Sequence, residues 1–370
     1  MKGVVSGSAA SWLDALVRLG ASQPIAKPVP SDDAFYLQSK GRLRIATRTL
    51  RRLLQLRFSG QRAHLREHIE PSWKRALWVH AEAPQIGDAL MDLAPRSLLA
   101  EHGIAVDIFA PPAIAKLLTG DRWLQRSLSD SAQLNTSHYD FVICTSHSAE
   151  SLAVKRARLA GLPWVSIKGL YQGYDYHRAG FVARRLSELM QVTLGDDAYR
   201  FHSRQKLSRI GEVLMPGPGD ASSPIAIALG GVRAERTYPH WPAVVQALHR
   251  GGVRSLVLIG SANGLQAATD VIAAAPPGMA ITNHVDQLDL HATRSAIASA
   301  RLLVCADGGL MHLGFTTLTP VLALFTQAID PAWRVPLGFD GATLRSSSPE
   351  LATIDSAQIA NQALALLARG

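Results

Sequence analysis

Three stretches of this chain carry residue types whose spacing could bind or activate something. The first is Asp307-Gly308-Gly309-Leu310-Met311-His312. It follows Leu302 to Cys305, an apolar run of buried-strand length, and it can continue as a helical turn. A strand, a Gly turn and a helix start make an anion site, because the first helical N–H groups lack partners and the helix dipole favours negative charge. The pattern predicts that a phosphate-bearing ligand meets the chain at Asp307 to His312. The bland alternative is a turn that uses Gly only to bend, with His312 as a structural residue. The second stretch is Asp88, which follows an apolar run at the start of a helix. A carboxylate there can take the proton of a bound hydroxyl as general base, or it can cap the helix. Asp92, one turn on, is expected on the helix surface or near a cleft wall. The third is Arg233 and Arg236, beside Gly230-Gly231. Arginines beside a Gly turn suit a phosphate fork; a solvated loop is the alternative.

Other chemistries find little support. No Asp-x-Asp or carboxylate cluster has metal-ligand spacing, and Cys144-x-x-His147 stands without further ligands. No Gly-x-Ser-x-Gly marks a serine nucleophile. Cys144 and Cys305 each sit near the end of an expected strand and read as reduced core thiols of a cytoplasmic protein. No convincing secretory signal and no apolar run of membrane-spanning length occurs.

The elements that must position these residues alternate. Strands are expected at 76–80, 105–109, 139–145 and 164–168, with helices at 89–102, from 111 and at 149–159; a helix at 181–194 starts a crossing segment. A Pro-Gly linker, Met215 to Asp220, sets the domain boundary. The alternation then restarts with strands at 225–229, 255–259, 279–282, 302–305 and 321–325, and helices at 240–248, 265–275, 288–300 and 356–369. Such spacing means βαβ units on parallel sheets. The fold class is α/β: two Rossmann-like, doubly wound domains, residues 71–215 and 216–370, preceded by an N-terminal helical extension, residues 1–70. The last helix is open to packing back on the first domain. In open parallel sheets ligands sit beyond the carboxyl ends of the strands, and two facing sheets put a cleft between domains.

With 370 residues, 47% apolar and 18% charged, the chain is a well-covered globular protein. Its charge is uneven. Lys40 to Arg75 holds eleven Lys/Arg against two acids, an excess equal to the whole formal net charge of +9. A helix is also expected from Ser11 to Leu19 with Gly20 as its C-cap, followed by a linker with Pro24, Pro28 and Pro30. Residues 41–58 read as a basic amphipathic helix, which suits an anionic membrane surface or a partner. A solvated helix packing its leucines on the protein body is the other reading. Nucleic acid is not expected, since a reading motif and interleaved aromatics are missing.

The motifs together resemble glycosyltransferase family 9, the lipopolysaccharide heptosyltransferases and their relatives. Asp307-Gly308-Gly309-Leu310-Met311-His312-Leu313 is similar to the family's Asp-Thr/Ser-Gly-x-x-His-Leu. Thr319-Pro320 to Phe325 is similar to its Thr-Pro-x-x-x-Leu-Phe strand, with Asp330-Pro331 and Trp333 to Pro336 following. Ile86-Gly87-Asp88 matches a segment whose Asp is the proposed base, and Tyr238-Pro239-His240-Trp241-Pro242 a further one. The matches run from about residue 75 to 345. The resemblance implies a GT-B enzyme that inverts the anomeric centre of a nucleotide-sugar, with no obligatory metal and no cofactor. It implies Asp88 as base, and Asp307, Gly308, Gly309, Leu310, His312, Arg233, Arg236 and Asn263 as the donor or diphosphate site. It also implies a glycan or lipid-linked acceptor, and with the basic helix a place at the inner face of a bacterial inner membrane. Three positions depart from the pattern: Gly308 replaces a hydroxyl residue, Pro239 a basic one, and Asn263 an acid. A catalytically degenerate binding module and a protein O-glycosyltransferase are therefore the alternatives.

Overall fold

The computed structural model describes residues 6–173, 175–209, 222–231 and 233–369. The expected linker, 215–220, lies outside them. The chain packs as two compact units, residues 1–204 and 205–370.

The first unit holds a sheet of β1 (Arg75–Val79), β2 (Ala105–Phe109), β3 (Arg126–Leu128), β4 (Phe141–Cys144) and β5 (Trp164–Ser166) in the order β3-β2-β1-β4-β5. Every pairing is parallel. Central strands of such a sheet are covered on both faces and read as unbroken apolar runs; Ala76 to Val79 and Phe141 to Cys144 are wholly buried. The chain winds outward from β1 to β3, then returns to lay β4 on the other side of β1. That reversal makes the β1/β4 boundary the switch point of the sheet.

Three local differences from the expected elements have plain causes. The helix expected at 89–102 is two helices, Ile86–Asp92 and Arg96–Glu101, because Pro95 interrupts the run. The short edge strand β3 has little apolar signal. It is held by Arg126, whose Nε and Nη2 donate to Asp107 Oδ2 at 2.8 and 2.6 Å. Gly20 lies inside the helix Ser6–Ala21 and is not its cap. A Cβ there would come within 2.4 Å of Thr49 Oγ1, so glycine is what lets this helix lie against Arg42–Phe58.

The residues before β1 cluster with the sheet in this unit. A third helix, Asp33–Lys40, is capped by Asp32. Gln172 Nε2 donates to Thr49 Oγ1 at 2.7 Å, and Tyr171 Oη to Asp33 Oδ1 at 3.1 Å.

The second unit holds β6 (Ile225–Leu229), β7 (Ser255–Gly260), β8 (Ala280–Asn283), β9 (Leu302–Ala306), β10 (Val321–Phe325) and β11 (Gly341–Arg345) in the order β11-β10-β9-β6-β7-β8, again all parallel. Read from the β8 edge this is the 3-2-1-4-5-6 winding of dinucleotide-binding folds, with its switch point between β6 and β9. The last helix, Ser356–Leu367, packs within this unit. Its Ile359, Ala360, Ala363 and Leu366 share one buried core with Trp241, Val245 and Leu248 of Trp241–Arg250 and with the strands beneath.

Candidate functional site

Each switch point gathers residues that the sequence singled out. In the first unit, β1 ends at Val79. The chain then runs through His80 and Glu82 into Ile86–Asp92. Asp88 lies in the first turn of that helix, but Gln85 holds the N-cap position, so Asp88 does not cap it. Instead, Asp88 Oδ1 stands 2.7 Å from Arg178 Nη1, and its side chain is 34% exposed. Arg178 opens the helix Arg178–Leu189, where Tyr176 and Phe181 pack against Tyr171 and fix that helix start.

Arg178 also closes a bidentate pair with Asp92. Nε donates to Oδ1 and Nη2 to Oδ2, each at 2.5 Å. Asp92 is fully buried, which corrects its expected place on a helix surface. Lys168, two residues beyond β5, donates to Asp92 Oδ2 at 3.2 Å and lies 3.6 Å from Glu82. Ser146, beyond β4, donates to Glu82 Oε2 at 2.5 Å. His80 Nδ1 is 3.7 Å from Asp92.

The electrostatics follow from this packing. Burial alone would raise the Asp92 carboxyl, but Arg178 and Lys168 outweigh it and hold it far below the carboxylate range. Burial would likewise raise Glu82, and Lys168 with the Ser146 hydroxyl brings it below its ordinary value. Burial works against the charged form of Arg178 too, yet Asp92 and Asp88 push its pKa well up. His80 is pushed down, chiefly by burial. The result is a charged lattice in which Arg178 fixes one oxygen of a half-exposed carboxylate, while a carboxylate has a second oxygen with which to accept a proton.

None of Glu82, Lys168 and Arg178 was found by sequence reasoning, and Asp92 was misplaced. The available signal was position. Glu82 and Lys168 follow strand ends, and Arg178 follows the Gly- and Tyr-rich segment 169–175.

In the second unit, the loops after β6 and β9 meet at the switch point. Arg236 Nη1 stands 3.2 Å from Asp307 Oδ2, an ion-pair distance. Asp307 is buried, and its Oδ2 makes no hydrogen bond. Arg233 points elsewhere: its side chain is exposed and lies 3.8 Å from Glu235. Asn263 sits beside Gly230, since a Cβ added there would come within 2.7 Å of Asn263 Oδ1, and that oxygen accepts from Ser261 Oγ at 2.8 Å. Gly230 has φ +83°, a left-handed turn that glycine favours.

After β9 the chain turns at Gly308 into the helix Gly309–Gly314. Gly308 itself is extended, with φ 176°, and a Cβ there would meet nothing nearer than Ala306 O at 3.9 Å. The turn therefore accepts a side chain, and the departure at Gly308 is not imposed by the fold. Gly309 is exposed and Leu310 half-buried, so first-turn N–H groups are presented at this strand end. His312 is buried one turn on and bonded through Nδ1 to Gln205 Oε1 at 2.7 Å; Gln205 Nε2 in turn donates to Arg334 O. Among the described residues no group of three or more His, Cys, Asp or Glu could hold a metal ion.

Comparison with known proteins bears on both units. Residues 200–360 match the model of glycosyltransferase family 9 (heptosyltransferase). No curated protein matches the chain. Among solved structures, a family 9 glycosyltransferase from Veillonella parvula is similar with a TM-score of 0.64 at 16% identity, covering 82% of this chain and 100% of that one. The ADP-heptose lipopolysaccharide heptosyltransferase II of E. coli is similar with a TM-score of 0.60 at 19% identity, covering 80% and 99%. E. coli heptosyltransferase WaaC with ADP is similar with a TM-score of 0.60 at 17% identity, covering 79% and 99%. The family resemblance stands, and both units share their fold with these proteins.

Proposed function

From a glycosyltransferase family 9 domain carried on the second of two such sheets, we propose that this chain is an inverting glycosyltransferase. It moves a sugar, a heptose or a relative, from a nucleotide-sugar to a hydroxyl of a lipopolysaccharide core or other surface glycan. The observation that carries the reading is the coincidence of the family match over residues 200–360 with a strand–turn–helix arrangement suited to an anion at the β6/β9 switch point. The relatives named above include one solved with ADP, which supports a nucleotide diphosphate as the leaving group.

In this reading Asp88 takes the proton of the acceptor hydroxyl. The oxygen forms a bond to the anomeric carbon as the bond from that carbon to the diphosphate breaks. The backbone N–H groups of Gly309 and Leu310, with Arg236, stabilise the negative charge that develops on the leaving diphosphate. Arg236 rather than Arg233 is the arginine that reaches this turn, and it supplies the charge that Pro239 does not. Arg178 orients Asp88.

A screen of nucleotide-sugars and nucleotides by thermal shift tests the reading. A true donor at 100 times its dissociation constant adds about 2.7 kcal/mol of stability. Release of nucleoside diphosphate in the presence of glycan acceptors then tests turnover. If no nucleotide or nucleotide-sugar stabilises the chain, the reading fails. Stabilisation without turnover on any acceptor favours a binding module; the engagement of Asp88 by Arg178 and the missing hydroxyl at Gly308 give that second reading its footing. Turnover on a protein hydroxyl alone would make the chain a protein O-glycosyltransferase.

A further inference from the structure

Helix Arg42–Phe58 carries two apolar stripes. One is Ile45, Ala46 and Leu56, which together with Thr49 and Arg52 is buried against the first unit. Such a stripe is all that a surface helix needs to hold its place. The other is Leu43, Leu50, Leu54 and Phe58, spaced by about two turns, one turn and one turn, and it faces outward. Leu43 and Phe58 are 70% and 78% exposed, and Leu50 and Leu54 are 43% and 42% exposed. One of the two readings of the sequence packs the leucines of this helix on the protein body. Of those leucines only Leu56 is buried.

The outer stripe is also the rim of a groove. Leu50, Leu54 and Phe58 face Leu152 and Ala153 of the helix Ala149–Arg158 across an open cavity of about 670 Å³, with Arg51 and Arg156 at its edges. Arg44, Arg48 and Arg57 on the first helix and Arg158 on the second are also exposed. Concentration of apolar exposure here is unusual for the chain. Of the twelve large apolar side chains exposed among the described residues, four belong to this one stripe. A patch of this kind, bordered mostly by arginines with Glu150 as the acid beside Ala149, marks an interaction site rather than scattered surface residues.

We propose that this face docks the first unit on an anionic lipid bilayer. The stripe Leu43-Leu50-Leu54-Phe58 enters the interface between headgroups and acyl chains, the groove accepts part of an acyl chain, and the arginines meet lipid phosphates. Charge complementarity selects this occupant: the groove is apolar, its rim is cationic, and the excess charge of residues 40–75 equals that of the whole chain. An interfacial helix has this division between an apolar stripe and a basic border, and a polybasic surface binds anionic lipid in proportion to its cations. A protein partner with an apolar helix would need acids to match the rim. The proposal stands independently of the glycosyltransferase reading, because none of the groove-lining residues is among those assigned to the base or the donor, and the binding needs no donor.

Co-sedimentation of the full chain with vesicles tests it. Vesicles of phosphatidylcholine with phosphatidylglycerol should bind the chain at least tenfold more tightly than phosphatidylcholine alone, and added salt should weaken the binding. The double variant Leu50→Glu with Leu54→Glu should lose at least tenfold in affinity with an unchanged circular dichroism spectrum, since both side chains are partly exposed. Arg51→Glu with Arg156→Glu should lose binding to the anionic vesicles only. The proposal is overturned if the native chain binds both vesicle types alike, if the leucine variant binds as the native chain does, or if the face proves to hold a second copy of the chain. That last result would appear as a lipid-free dimer that the leucine variant dissolves. Nucleotide-sugar stabilisation of the same variants, measured alongside, keeps this outcome separate from the fate of the proposed activity.

Discussion

The two switch points of this molecule are built alike in backbone and differently in chemistry. At β1/β4 the polar side chains are paired before any ligand arrives. Asp92, Lys168, Arg178 and Glu82 hold one another, and Asp88 is fastened by one oxygen. At β6/β9 the turn is open, with an unencumbered Gly308 and the Arg236–Asp307 contact beside it. The difference suits two tasks. A group that must accept a proton in a set direction gains from a rigid surround. A turn that must bind a highly charged diphosphate gains from backbone donors and space that the ligand itself fills.

The contrast can be broken at its strongest point with Asp92→Asn. Arg178 and Lys168 would lose their main counter-charge in a buried site, and removal of one partner from such a pair costs about 3–5 kcal/mol. Chemical denaturation should show that loss. A native-like stability for this variant would mean that the lattice is not what holds the first switch point together. A smaller effect belongs to His147, on the loop after β4. Burial pushes its pKa down to about 4, and neither ring nitrogen has a hydrogen-bond partner. Between pH 6.5 and 4 the unfolded chain therefore binds the extra proton, so this histidine makes stability fall as pH falls through that window. The shift corresponds to about 3 kcal/mol. His147→Phe, which keeps an aromatic ring against Trp164, should flatten the decline by about that amount. A decline as steep as the native one would assign it to other groups. The paired carboxylates Glu82 and Asp92 act lower: their depressed pKa values give a contribution that is intact above the ordinary carboxylate range and is lost progressively as the pH falls through and below it.

The second switch point predicts effects on binding rather than folding. Arg236→Ala should weaken donor binding by about 1.5–3 kcal/mol, the worth of a hydrogen bond to a charged group, while Arg233→Ala should change it by no more than about 0.5 kcal/mol. Titration calorimetry with the best donor from the screen compares them; equal effects would erase the distinction drawn between the two arginines. The smallest effect is that of Gly308→Ser. Its Cβ has room, so stability should stay within about 0.5 kcal/mol, and donor affinity should rise by about 0.5–1.5 kcal/mol if the added hydroxyl meets the diphosphate. A marked loss of stability would show that the turn needs glycine after all.

Most of the fold was legible because central parallel strands are apolar runs with little to confuse them, as in Ile225–Leu229 and Val321–Phe325. What escaped was held by side chains distant in sequence. β3 depends on the Arg126–Asp107 pair, and β11 is an only partly buried edge strand of mixed composition. The site divides the same way. Asp307 to Gly309 could be read because strand, turn and helix are adjacent in the chain. Arg178 and Lys168 could not, because their partner Asp92 lies 86 and 76 residues away and nothing local marks them as charges that would be buried. Arg42–Phe58 was legible as basic and amphipathic, but period alone could not say which of its two apolar stripes faces inward.

The central claim is that Asp88 is the base of a sugar transfer. Donor affinity and turnover measured side by side for the native chain and Asp88→Asn test it most directly. The account predicts an unchanged dissociation constant and a turnover lower by about 10²–10⁴-fold, the usual worth of a general base. Near-native turnover in Asp88→Asn, with the donor still bound, would contradict it.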